Sequence, residues 1–598
     1  MGLLQKACET YEANRDIAGV YREGHEVLPP IGHILTAADI EIMINAEGRF
    51  LQASGVPKDA PKTLIPVTVE SMGRTSAPCA HPLCDSIAYI GPQDETKNAL
   101  YLEELDSWRH SEYTHPFLDA ISNYVRQETV LDDLVKASLI TCENGKPSDE
   151  KKLIRWRVTG VEGEEEACWK NRRLHELFAK YIEAKSGEDD RDICMVTGEK
   201  SAVAYQHAKG VVSLHGNAKL ISANDSTNFT YRGRFNSDAE AMNVSYEASQ
   251  KAHNALRWLI GEQKVYYGKK AFLCWNPNGY AIPKVTDPFG FEEAAEPAED
   301  VEIYTDRLRK TLSGCRSSLP ENEAVVIASF DAATTGRLSL NYYSELASSD
   351  FLERLYEWDE HCCWFFGKQG IQSPKLLTII NCAFGTERSS NGGAYMEVDD
   401  RVKAQQLLRL VACRINRSPM PADIKEALVH KASSPLAYEL STRRLILSTA
   451  CAVIKKYDHD RKGVNWEMAL KPDKMDLSYQ YGRLLAVLEK AETDTYDREG
   501  GRESNAVRMQ SVFVQRPQYA AARVLEQLKK AYFPRLSVAG RSYYERLIGE
   551  IYAMIDEFPE QDQNRPLQDS YLMGYYLQRN ELWRSKKNND DAQNEEEN

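Results

Sequence analysis

Residues 473–490, DKMDLSYQYGRLLAVLEK, decide how the C-terminal part of this chain is built. Tyr481, Leu484, Leu485 and Leu488 recur at the spacing 0, 3, 4, 7 and form one apolar stripe on a helix of 3.6 residues per turn. The pattern returns in Ala521, Val524, Leu525, Leu528 and Tyr532, and again in Tyr544, Leu547, Ile548, Ile551, Ile555 and Phe558. Amphipathic helices joined by loops bury one another's stripes, so the spacing predicts a helical bundle over 475–587. In front of it lies the polar run DRKGVNWEMALKPDK (460–474) with Pro472, so the chain reads as beginning a self-sufficient domain at Met475. Behind it, NNDDAQNEEEN (588–598) has alanine as its one apolar residue and is expected to be a disordered acidic tail.

Upstream, the period changes. IEIMINAEGRFLQA (40–53) alternates, turns and alternates again, and AVVIASFDAATTGRLSLNYY (324–343) does the same around a Thr-Gly turn, so both are expected to be β-hairpins. TLIPVTVES (63–71) and KLISAN (219–224) read as further strands, and about 98–140 and 238–262 as helix. The acidic VTDPFGFEEAAEPAEDV (285–301) reads as a solvated linker, and from about residue 400 strands give way to helix. The expected class is α+β: a mixed α/β region over 1–285, a strand hairpin followed by helices over 302–470, then the bundle. At 598 residues, three or four domains are expected.

Composition excludes several classes. No apolar run approaches the ~20 residues of a membrane-spanning helix, and MGLLQKACETYEANRD lacks a secretory signal, so a soluble, intracellular protein is expected. The thirteen cysteines include no CxxC pair, so a zinc ribbon is not expected and the thiols read as reduced packing residues. No phosphate-binding glycine loop, GxSxG elbow or HExxH helix occurs, and no metal or cofactor is expected. HCCWFF (361–366) and the His459-Asp460 pair keep one alternative open, a metal- or thiol-dependent enzyme using His361, Cys362 or His459. A purely structural scaffold is the other.

Charge is more informative. The net charge of −15 argues against a protein that coats nucleic acid over its whole surface. Within it, Arg502, Arg508, Arg516, Arg523, Lys529, Lys530, Arg535, Arg541 and Arg546 meet only Glu503, Glu526 and Glu545, with Tyr519, Tyr532, Phe533, Tyr543 and Tyr544 interleaved. A basic stripe with aromatics is the footprint of contact along a nucleic-acid backbone. KKLIRWR (151–157), KNRR (170–173) and KVYYGKK (264–270) are smaller basic clusters.

Six ordered stretches resemble the large subunit of type I-C CRISPR effector (Cascade) complexes: GRTSAPCAHPLCDSIAYIG (73–91), CMVTGEKSAVAYQHAKGV (194–211), GRLSLNYYSEL (336–346), YGRLLAVLEKAE (481–492), LIGEIYAMIDEFP (547–559) and MGYYLQRNELW (573–583). A loop of the family is shortened here to VSLHGNAK (212–219). The resemblance implies a non-catalytic subunit that joins a crRNA-bound backbone and reads a short motif flanking the target. It implies help in opening the duplex, support of the R-loop and its displaced strand, and docking of a separate HD-nuclease/helicase. For motif reading, Gly73, Arg74, Thr75 and Ser76 are the first candidates, able to approach base edges or phosphate. His215, Asn217, Lys219 and Asn224 are the second set, with TGEK (197–200) read as a turn. Arg502, Arg508, Arg516, Arg523, Lys529, Lys530 and Arg535 are expected on the R-loop backbone. The family also makes its small subunit from the 3′ part of the large-subunit gene, which implies an internal start at Met475, with Met468 as runner-up.

Overall fold

The computed structural model describes residues 2–72, 74, 77–143, 146–185, 191–204, 206–221, 242–290, 292, 295–334, 336–390, 392–496 and 502–596, with backbone alone at 285, 333 and 584–596. The chain folds as α+β in two compact units, Met1–Ala281 with Ala324–Glu345, and Ile282–Glu323 with Leu346–Asn598. Two units replace the three or four expected from length.

In the first unit the hairpin read at 40–53 is present: Ile40–Asn45 and Phe50–Gly55 pair antiparallel, and Ile154–Thr159 adds in parallel on the other side of Ile40–Asn45. Register puts Ile40 beside Ile154, Ile42 beside Trp156 and Ile44 beside Val158, so the period of two builds one buried face. The helices Glu95–Arg109, Pro116–Val125 and Arg172–Lys185 supply Trp108, Tyr124 and Phe178 to the same core. Of the strand expected over 63–71, Thr63–Pro66 is present, while Val69–Met72 turns into a short helix.

The hairpin read at 324–343 is also present, as Ala324–Thr334 and Arg337–Ala347, but it does not head the second region. It completes a four-stranded sheet with Tyr266–Tyr267 and Lys270–Trp275, in register Cys274 to Ile327. Val325 through Phe330 are buried on both faces, which only an interior strand can be. Leu3–Ala13 and Tyr246–Gln263 pack together, and Tyr246–Gln263 lies on this sheet. In KLISAN, Lys219 makes isolated bridges rather than a strand, and residues 222–224 lie outside the described residues.

The second unit is mostly helical, and its last strand among the described residues is Gly393–Glu397. The acidic stretch 285–301 is not a solvated linker: Phe289, Ala295 and Ala298 are buried, Ala298 pairs with Ile371, and the Asp287 carbonyl accepts from Arg414. Its apolar residues, sparse as they are, outweigh its charge in placing it.

The helix Leu477–Thr493 departs most from its amphipathic reading. Every residue from Ser478 to Glu492 is buried. It runs parallel to Ser570–Glu596, with Asp476 accepting from Ser570 at one end and Lys490 over the Trp583 ring at the other. The two approach through glycines: a Cβ at 482 would lie 1.9 Å from the Tyr571 carbonyl oxygen, and one at 574 would lie 2.1 Å from that of Tyr479. The polar face is matched rather than solvated. Arg483 donates to Gln578 and the Pro472 carbonyl, Gln480 to the Pro472 and Lys474 carbonyls, and Glu489 accepts from Tyr575. Asp476 caps the helix by accepting from the Tyr479 amide.

Residues 475–596 therefore share their core with what precedes them. Lys425 pairs with Asp569, Ser433 bonds Tyr571, and Tyr576 donates to the Phe365 carbonyl. The backbone of Ser570–Glu596 also stays helical past residue 588, where a tail was expected, since intrahelical bonds use only backbone groups. No helix among the described residues is long and apolar enough to cross a membrane.

Candidate nucleic-acid interface

Arg74 is committed to the fold. Its guanidinium forms a two-pronged pair with the buried Asp85 (2.7 Å on each prong), donates to the Cys79 carbonyl and lies over the Tyr89 ring. Asp85 also accepts from the His81 and Ser86 amides. Arg74 is thus tied to Cys79 and Asp85 and is not available to a groove. Gly73, Thr75 and Ser76 lie outside the described residues.

A cavity of about 520 Å³ in the first unit is lined by Met72, at the end of the helix Val69–Met72, and by Lys209, Gly210, Ser213 and Gly216. Of the two stretches singled out from sequence, the 209–219 loop reaches it, and Gln250 donates to the Met72 sulfur. Gly210 has φ +69°, and a Cβ there would meet the Gly216 carbonyl oxygen at 2.9 Å, so glycine is required for the tight return of 209–219. That return sets Lys209 opposite Lys219 across an antiparallel bridge. Like charges in that position repel, and burial together with Lys209 holds the Lys219 ammonium below its usual range. An arrangement that raises local positive potential at its own cost is what an anionic ligand relieves.

Lys62, Arg257, Lys264 and the Trp258 indole complete the cationic lining; Glu26, paired with Lys264 at 3.3 Å, is the one carboxylate among the described residues that line it. Arg257 donates to the Lys209 and Gly210 carbonyls, and burial lowers its pKa. The Trp258 Nε1–H is buried and donates to nothing among the described residues. His215 is anchored to the Lys269 carbonyl (2.7 Å), Asn217 is exposed, and Asn224 lies outside the described residues. Lys62 and Arg257 carried no local signal in sequence; Lys264 belongs to KVYYGKK. The other clusters serve the fold: Arg155 and Arg157 bind Glu41 and cover Trp169, and Arg173 binds Glu164.

In the second unit the basic stripe lies on Asn505–Arg508, Gln510–Gln515, Pro517–Gln527 and the π-turn Leu528–Tyr532, followed by Phe533–Arg535 and Val538–Asp556. All of Arg502, Arg508, Arg516, Arg523, Lys529, Lys530, Arg535, Arg541 and Arg546 are exposed. Arg523 and Lys530 share Glu526, while Arg508, Arg516 and Lys529 have no ion-pair partner among the described residues. Of the aromatics, Tyr519 and Tyr543 are half-exposed, whereas Tyr532, Phe533 and Tyr544 turn into the core. Arg523 lies over Tyr519 and Arg546 over Tyr543, giving two cation-topped rings.

The enzyme residues divide. Cys362 is fully buried and burial pushes its thiol well above the ordinary range, the reverse of a nucleophile's setting. All thirteen cysteines are free thiols and ten are buried. No group of three potential metal ligands occurs among the described residues.

A family model described as CRISPR-associated protein (Cas_Csd1) matches residues 8–583. No curated protein matches the chain.

Proposed function

The chain belongs to the Cas_Csd1 family of CRISPR-associated proteins, which makes it a Cascade subunit, and on that premise we propose that it is the large, DNA-interrogating subunit of a type I-C complex. Its first unit checks the short flanking motif at the cavity lined by Met72, Arg257, Lys264 and the 209–216 loop. Base pairing by the guide supplies the long specificity. The observation that carries this reading is the gathering of Lys62, Lys209, Arg257 and Lys264 around one cavity in a chain of net charge −15. Local positive potential in an acidic protein favours engagement at one place over grip on random DNA.

In the same reading the exposed stripe from Arg502 to Arg546 follows the backbone of the opened strands. The protein binds rather than catalyses, works in the cytoplasm and docks a separate HD-nuclease/helicase. Met475 is the start of a separately translated small subunit. Its side chain is 62% exposed and directly precedes the capping Asp476, so a chain beginning there keeps its helix cap.

The test is Lys209→Glu with Lys264→Glu in the assembled complex, with duplexes bearing or lacking the flanking motif. Removing a base or paired interaction costs ~1–3 kcal/mol, so binding to the motif-bearing duplex should fall at least tenfold and the discrimination should collapse. Equal weakening on both duplexes refutes motif reading at this cavity.

A further inference from the structure

His361 and His459, separated by almost a hundred residues of sequence, stack ring on ring with centroids 3.6 Å apart and planes 15° from parallel. They line a second cavity, of about 420 Å³, in the second unit, a size within the range of small-ligand sites. Arg354, Arg414, Arg417 and Lys456 line it too, with Glu357 and Asp460 as its carboxylates. Those carboxylates are spoken for: Glu357 holds Arg417 (2.6 and 2.7 Å) and Asp460 holds Lys456 (2.5 Å). Arg414 is neutralised by the buried Asp359 at 3.2 Å.

Arg354 has no carboxylate partner among the described residues; one terminal nitrogen donates to the Ile415 carbonyl. The Nε–H groups of both Arg354 and Arg414 are buried and donate to nothing among the described residues. Burying a donor unpaired costs ~1–3 kcal/mol, so two at one cavity mark a place where an acceptor belongs. A metal cation does not fit. The carboxylates there are already held by Arg417 and Lys456, Arg354 adds a positive charge unpaired among the described residues, and the lone pairs of two parallel stacked imidazoles run side by side instead of converging.

We propose that this cavity binds a phosphoryl group, held by the guanidinium groups of Arg354 and Arg414 and covered by the His361–His459 stack. The phosphoryl group belongs either to a mononucleotide or to a nucleic-acid backbone. Phosphate oxygens supply the acceptors that both Nε–H groups lack; Arg354 adds a charge that no carboxylate among the described residues takes, while the terminal nitrogens of Arg414 stay on the Asp287 carbonyl and Asp359. The proposal does not rest on the motif-reading role of the first unit.

Binding is coupled to protonation. Burial, then His459, Lys456 and Lys455, hold the His361 imidazole down to about 4, with Asp460 opposing; Glu360 lies at 3.8 Å and Arg354, Arg414 and Arg417 face the same space. A phosphate against the ring raises that pKa, so binding takes up a proton, and tightens, as pH falls through the interval above about 4 in which only the bound form holds it.

The experiment titrates the full-length chain calorimetrically with inorganic pyrophosphate, ADP and a short single-stranded oligonucleotide. Arg354→Gln is expected to weaken the probe that binds about tenfold or more. Arg354→Lys, which keeps the charge and the stem, should fail to rescue it. Arg417→Gln, at a half-exposed position, is the second variant should Arg354 prove needed for folding, and it should also weaken binding. His361→Asn should remove the pH dependence. Binding of pyrophosphate or ADP assigns a mononucleotide, and binding of the oligonucleotide alone assigns a backbone phosphate. Overturning results are no binding by any probe at millimolar concentration, or binding that folded Arg354 and Arg417 variants leave unchanged.

Discussion

Replacing Gly482 by alanine tests the packing that holds the C-terminal helices. The added methyl would sit 1.9 Å from the Tyr571 carbonyl oxygen and 2.8 Å from the Tyr575 nitrogen, where ordinary contact begins near 3.4 Å. The obstacle is helix backbone, which cannot rotate away as a side chain does. Leu477–Thr493 and Ser570–Glu596 must separate by roughly 1.5 Å at the crossing, while a gap of ~0.5–1 Å already forfeits a quarter to a half of each dispersion contact. Overpacking of this kind costs ~1–3 kcal/mol or somewhat more. Alanine's better helix propensity returns ~1 kcal/mol. The net expectation is a loss of about 2 kcal/mol, local to this helix pair. Gly574→Ala, whose methyl would meet the Tyr479 carbonyl at 2.1 Å, should cost about the same. The double variant should cost less than the sum, because helices already spread admit the second methyl. Hydrogen exchange read by mass spectrometry on 477–493 is the assay, since a two-unit chain does not melt in one transition. Unchanged or increased protection in Gly482→Ala would refute the close approach, and full additivity would refute the shared gap.

Arg74→Ala should destabilise the first unit by about 3 kcal/mol, because it leaves Asp85 buried without its cation. Arg74→Lys should recover only part of this, and thermal melts with a first-unit probe check it; an unchanged melt would free Arg74 for a direct role in binding. Acidification should unfold the first unit before the second. Burial holds His33, His81 and His253 down to about 4 and His207 to about 3, so between pH 6.5 and those values the unfolded chain binds more protons than the folded one. Stability present above pH 6.5 is lost at up to ~1.4 kcal/mol per group per pH unit; limited proteolysis at pH 5 cutting the second unit first would contradict this. Reversing Arg508, Arg516 and Lys529 to Glu should flatten the salt dependence of R-loop binding by ~0.7 in log–log slope for each phosphate no longer neutralised, and an unchanged slope would leave these side chains merely solvated. Changing the Met475 codon to leucine should abolish a C-terminal fragment co-purifying with the complex, and intact-mass analysis finding no such fragment in the unmutated complex ends the restart proposal.

Local chemistry was legible in the sequence because it needs only neighbours. Alternation gave the hairpins at 40–53 and 324–343, the 3.6 period gave the helices after residue 400, and scattered cysteines without pairing spacing are free thiols. The two glycines inside YGRLLAVLEKAE and MGYYLQRNELW carry no local signal, and their reason is spatial: each faces the other helix's backbone. Tertiary structure alone decided which partner each face found. A hydrophobic period reports that a stripe is buried, but not that the opposite face of 477–493 is buried too, since Arg483, Glu489 and Glu492 are charged whether water or a buried partner satisfies them. For the same reason Arg74, read as a free donor, is spent on Asp85, while Lys62, Arg257 and Lys264 were gathered from distant segments into one cavity. Side-chain charge is written in the sequence, but what it is paired with depends on chain segments far apart in number brought within a few ångströms by the closing of the core.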